Sequence, residues 1–300
     1  MISNNNKSQP KSRFRNLNII DISLFSVLLI SIIIFYLILI IFFYVPNYSV
    51  ISKIYSIYYM IIILTVIILI RILVSIYASY LLFKIWLSKK TRAYTDLPFM
   101  FGIFFFLFIP AKLMDLIVYT VYVMYEYYGF SYFLLLNIIK LRYYVMIINI
   151  LPLFLSGLYL YLIRLNLEKP DFEREKISKR FTVLFSLFYF PTFFTITFFL
   201  SDIHNFSFIG AIITLSSLSF VTWVFITAYR GKILPEINSL IISIGFICYL
   251  ISNMILPLLV NVVAPSSLEA ERISGLILEL GTLISMIIIL LGFKIKTRDK

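Results

Sequence analysis

Six charged residues lie well inside long apolar stretches of this chain, away from their ends: Arg71, Lys112, Asp115, Lys140, Arg142 and Glu279. Where such stretches cross a bilayer, a charge near the hydrocarbon centre costs at least about 3 kcal/mol unless it is paired or hydrated. With Arg71, Lys112, Lys140 and Arg142 set against Asp115 and Glu279, bases outnumber acids. A surplus of bases in a shielded cavity attracts an anion: a carboxylate, a phosphate or a lipid headgroup.

Spacing bears on whether these groups can meet. Lys112 and Asp115 are one helical turn apart. The stretches that carry Asp115 and Lys140 form a hairpin turning near Tyr127 and Tyr128, so these two residues sit at similar depth, with Arg142 slightly deeper. Glu279 lies about 15 Å in from Leu268 at 1.5 Å per helical residue. A pairing of Asp115 with Lys112 or with Lys140 is therefore expected, leaving a net positive site. Plainer readings stand beside this one. Lys140 and Arg142 can snorkel to headgroups, with 130–142 an interfacial helix and Tyr143 to Ile163 the true crossing. Lys112 and Asp115 can be an ion pair that only joins two helices. Arg71, with long apolar flanks on both sides, has no such excuse.

Uncharged polar residues form a weaker set. Asn253, Pro257 and Asn261 recur at spacing four, which puts both amides on one helical face near an irregularity. Thr214, Ser216, Ser217, Ser219 and Thr222 cluster in one stretch, and Gly275, Gly281 and Ser285 in another. Close helix packing explains such residues more readily than a solute path.

Enzyme chemistry finds little support. His204 is the only histidine and Cys248 the only cysteine, so neither a histidine-based hydrolase nor a thiolate metal site has its ligands. No HExxH, GxSxG or Gly-rich phosphate loop is present. The reading is no enzyme, no cofactor and no metal.

The elements that must position these residues follow from composition. At 62% hydrophobic and 13% charged, with a mean hydropathy of +1.01, the chain has too little polar surface for a water-soluble fold of 300 residues. About 20 apolar residues cross the hydrocarbon layer. Spans are read near 19–45, 54–87, 97–125, 130–164, 181–201, 206–229, 237–263 and 270–293. The expectation is an all-α integral membrane protein, a bundle of about eight transmembrane helices, with seven as the alternative. It forms one polytopic domain over 19–293 between basic tails at 1–18 and 294–300.

Pro110, Pro152 and Pro191 offer kinks. Lys and Arg concentrate in alternate gaps: the N-terminal tail, Lys84 to Arg92, Arg164 to Arg180, Arg230 with Lys232, and the C-terminal tail. Basic loops stay in the cytoplasm, so both termini are expected there, in a multi-pass protein of the cell membrane. The net charge of +12 then faces anionic lipid headgroups, not nucleic acid. The first stretch lacks a small-residue cleavage site and is read as an uncleaved anchor.

Two functional classes are expected from these features. One is a receptor-like or sensory protein whose charged cluster binds a small anionic or lipid ligand and signals through a cytoplasmic partner. The other is a small-solute transporter using the same charges, although glycine is scarce and no internal repeat is visible. A membrane scaffold or assembly subunit is the third.

Overall fold

The computed structural model describes residues 17–57, 59–89, 94–166, 168–234, 236–255 and 268–295, and they form helices and short turns with no strand among them. The helices are α1 (Leu17–Tyr44), α2 (Tyr48–Ile57), α3 (Tyr59–Ser88), α4 (Leu97–Tyr128), α5 (Tyr132–Leu165), α6 (Asp171–Phe199), α7 (Ile203–Arg230), α8 (Ser239–Leu250) and α9 (Leu268–Lys294). A π-helical turn, Ile251–Ile255, continues α8. Six helical segments among the described residues are long and apolar enough to cross a membrane, or seven if Tyr36–Tyr44 and Tyr48–Ser56 make one span. The chain is thus a helical, membrane-embedded protein. The stretch read as 237–263 is described only as far as residue 255, so Asn261 lies outside the described residues.

The chain divides into two compact units, Met1–Ile51 and Ser52–Lys300. In the first, α1 is almost wholly apolar, with Val27, Leu37 and Phe42 exposed and Tyr36 and Phe43 buried.

In the second unit the helices close a ring. α3 packs on α4, α4 on α5, α5 on α7, α7 on α8, α8 on α9, and α9 back on α3, while α6 lies against α5. An apolar plug fills one end of this ring, with Phe101, Phe105, Phe225, Phe246 and Met286 all buried within it. Three glycines bring the helices of α8 and α9 together. A Cβ on Gly245 would lie 3.0 Å from the Ile289 backbone nitrogen, and one on Gly292 would lie 3.0 Å from that of Ile242. A Cβ on Gly281 would collide with Ser252 in the π-turn. Gly275 faces open space instead.

The turn expected near Tyr127 and Tyr128 falls just after them. Gly129 adopts φ 66° beyond the last residue of α4, and its N–H and that of Phe130 both donate to the Met124 carbonyl. α5 then runs unbroken from Tyr132 to Leu165, so residues 132–142 continue into the stretch from Tyr143 to Ile163 as one helix. Pro110, Pro152 and Pro191 sit inside helices that continue through them.

Candidate functional site

α3 shows how an almost wholly apolar helix chooses its inward face. Ile68, Arg71, Ser75, Ala78, Ser79, Leu82 and Trp86 are buried at a spacing of three to four, whereas Leu69, Leu73, Ile76 and Tyr80 are exposed. Lipid and core are equally apolar, so hydrophobicity does not distinguish the two faces; the polar side chains do. Ser75 donates to the Arg71 carbonyl at 2.7 Å, and Ser79 crosses to the Gly102 carbonyl of α4 at 3.0 Å. α9 repeats the pattern, burying Glu279, Thr282, Ser285, Met286 and Ile289 while Leu280, Ile284 and Ile287 are exposed.

These faces converge on an alternating ladder of charge. Arg71 of α3 donates through Nη1 to Glu279 Oε2 of α9. The other oxygen, Oε1, accepts from Lys112 Nζ of α4 at 3.0 Å. Lys112 also donates to Asp115 Oδ2, and Asp115 Oδ1 accepts from Arg142 Nε of α5, each at 2.5 Å. The sequence is therefore Arg71, Glu279, Lys112, Asp115, Arg142, with cation and anion alternating across four helices. Both carboxylates are satisfied on each oxygen. Three cations against two carboxylates leave one net positive charge.

The cations are not equally satisfied. Arg71 is 0% exposed, yet its Nε and Nη2 have no hydrogen-bond partner among the described residues. A buried donor left unpaired costs about 1–3 kcal/mol, more when it is charged. Part of that cost is offset by Phe108, whose ring lies 4.9 Å from the Arg71 guanidinium carbon and 5.4 Å from Lys112 Nζ. Phe108 is also the last of the plug's aromatic residues along α4, so the ladder sits at the plug's end toward Tyr128. Tyr119 and Tyr249 stand within electrostatic range of Arg71. The π-turn begins two residues after Tyr249, where Asn253 Nδ2 donates to the Tyr249 carbonyl and Ser252 to that of Cys248, each at 2.8 Å. Side chains that take carbonyls four residues back compete with the regular helical bonds, which fits the widened turn here.

Five of the six ionisable residues named from sequence therefore meet in one site. Lys140 does not. It donates to the Phe198 carbonyl at the end of α6, 2.9 Å away, and the acid at its depth, Asp115, pairs with Arg142 instead. Lys140 and Arg142 are two positions apart on α5, which turns their side chains roughly 200° apart on a helix of 3.6 residues per turn. Equal depth therefore does not give both residues the same neighbour. Asn253 makes its local backbone bond and no other among the described residues. Sequence reasoning missed Ser75, Ser79 and Phe108, although Arg71, Ser75 and Ser79 recur every fourth residue and mark a polar helical stripe. Among the described residues, no group of three or more His, Cys, Asp or Glu side chains could hold a metal ion.

Together these features define a class: a polytopic helical membrane protein with a buried, net-cationic ion-pair ladder beside an apolar plug. No protein-family model matches the chain, and no curated protein or solved structure shows significant similarity to it.

Proposed function

We propose that this protein is a receptor-like membrane protein whose buried ladder binds a small anionic or lipid ligand and whose helices pass the binding event to a cytoplasmic partner. One observation carries the reading: the fully buried Arg71 guanidinium has two donors, Nε and Nη2, without a partner among the described residues, in a network one charge short of neutrality. An arginine presenting two parallel N–H groups matches the geometry of a carboxylate or phosphate oxygen pair. Ligand entry at the ladder would perturb four helices at once, because the same few ion pairs join α3, α4, α5 and α9.

The apolar plug favours a receptor over a transporter. Phe101, Phe105, Phe225, Phe246 and Met286 fill the ring at the end away from the ladder, and a solute path would have to unpack them. The transporter reading draws on the π-turn, since interrupted helices recur at transporter substrate sites. The orientation assigned to the bundle places eight spans with both termini cytoplasmic in a cell membrane, and it rests on the alternation of basic gaps.

Binding of laurate to the purified protein in phosphatidylcholine nanodiscs tests the reading. Wild type is expected to bind, and Arg71→Lys, which keeps the ion pair to Glu279 but lacks the fork, is expected to bind about tenfold more weakly. Equal binding by the two proteins would remove the anion site and leave a scaffold whose charges only pair helices. Laurate or acetate flux through liposomes carrying the protein, lost in Arg71→Ala, would replace the receptor by the transporter.

A further inference from the structure

The ladder is closed at one end and open at the other. Side-chain exposure is 0% at Arg71 and Glu279, 8% at Lys112 and 6% at Asp115, then rises to 35% at Arg142. Arg142 spends only Nε on Asp115, and its Nη1 and Nη2 make no hydrogen bond among the described residues. The outermost rung thus presents two charged donors to the surroundings. The innermost keeps two unpartnered donors fully buried among the described residues.

We infer that Arg142 is the entry station of this site and that the ligand it admits is a singly charged oxyanion, a carboxylate or a phosphodiester. This inference rests on the reading of Arg71 as the ligand's buried partner. The charge follows from the count of the ladder: one monoanion brings three cations and two carboxylates to neutrality, whereas a dianion would leave a net negative charge in the bilayer. Lys140 would have raised the surplus and favoured a dianion, but it is engaged at the end of α6.

Entry proceeds by exchange of partners, with no covalent step. The incoming oxyanion takes the free Nη edge of Arg142 first and competes with Asp115 for that guanidinium. Asp115 retains Lys112, its partner on the same helix, so the carboxylate is never left unpaired. Glu279 is held the same way, by Lys112 on one oxygen and Arg71 on the other, and can yield part of Arg71 to the ligand while keeping Lys112. Lys112 is the shared partner that makes both exchanges affordable. In this arrangement Arg142 governs how fast the ligand arrives and Arg71 how long it stays.

The test measures association and dissociation rates in phosphatidylcholine nanodiscs for four probes: laurate, acetate, dioctanoyl phosphatidylglycerol and dimethyl phosphate, with sulfate as the dianion. Arg142→Gln is expected to lower the association rate about tenfold with little change in dissociation, and Arg142→Lys to restore most of it. Arg71→Lys is expected to act on dissociation instead. Binding of laurate and phosphatidylglycerol but not of their short counterparts assigns a lipid source; binding of all four assigns a free oxyanion, and both outcomes support the inference. Sulfate binding as tightly as the monoanions overturns the charge assignment. If Arg71→Lys weakens binding while Arg142→Gln associates at the wild-type rate, the entry station falls and the Arg71 site stands. If wild type binds none of the probes, both fall.

Discussion

At the scale of single residues, the ladder separates members that share a partner from members that do not. Lys112 bonds two carboxylates, each of which also holds an arginine. Lys112→Met therefore leaves two complete pairs, Arg71 with Glu279 and Arg142 with Asp115. It should cost less stability than Asp115→Asn or Glu279→Gln, each of which strips a carboxylate charge from two cations. Loss of one partner from a buried pair costs about 3–5 kcal/mol. Denaturant unfolding of the purified variants checks the order, with both acid variants expected below Lys112→Met. Binding should run the other way: Lys112→Met takes the site from one positive charge to none and weakens laurate, while Asp115→Asn adds a positive charge and strengthens it. Equal laurate affinity in the two variants would show that net charge does not govern the site.

At the scale of elements, close approach decides which substitutions a helix tolerates. Gly292→Ala would force the Cβ against the Ile242 and Asn238 backbones, and the Asn238 N–H already donates to the Gly292 carbonyl at 2.8 Å. Backbone cannot rotate away as a side chain can, so a loss of about 1–3 kcal/mol is expected. Gly275→Ala is the matched control on the same helix: its Cβ meets nothing within 4 Å, and alanine should gain up to about 1 kcal/mol of helix propensity. Thermal unfolding in detergent should move the two variants in opposite directions. Asn149, buried on α5, donates to the Phe104 carbonyl of α4 at 2.9 Å, and Asn149→Leu should cost on the order of 1 kcal/mol, the usual worth of one interhelical bond in a membrane.

At the scale of the whole molecule, the arrangement that matters is a ring of helices sealed at one end by aromatic side chains and charged beyond Phe108. In the orientation proposed from the basic gaps, the plug lies toward the cytoplasm and the ladder toward the outer leaflet. Reporter fusions after Lys90 and after Glu126 should then report opposite sides, and a fusion after Lys300 the same side as Lys90. A common side for the first two would break the eight-span assignment and reverse the end from which a ligand reaches Arg142.

The sequence by itself determined that the chain is helical and membrane-embedded, because its apolar stretches have the length of a bilayer crossing and too few polar residues remain to cover a soluble fold. It also singled out Arg71, Lys112, Asp115, Lys140, Arg142 and Glu279, since charge inside hydrocarbon is costly wherever it falls, and all but Lys140 meet in the site. What it could not determine was rotation about each helix axis. Depth along a helix follows from counting residues, but the direction a side chain faces depends on which neighbour packs there, and in lipid an apolar residue faces inward or outward at nearly the same free energy. Tertiary packing alone turned Arg142 toward Asp115 and Lys140 toward the end of α6. Among the described residues it left two donors of Arg71 unpaired, because the neighbouring helices offer the guanidinium a single carboxylate there.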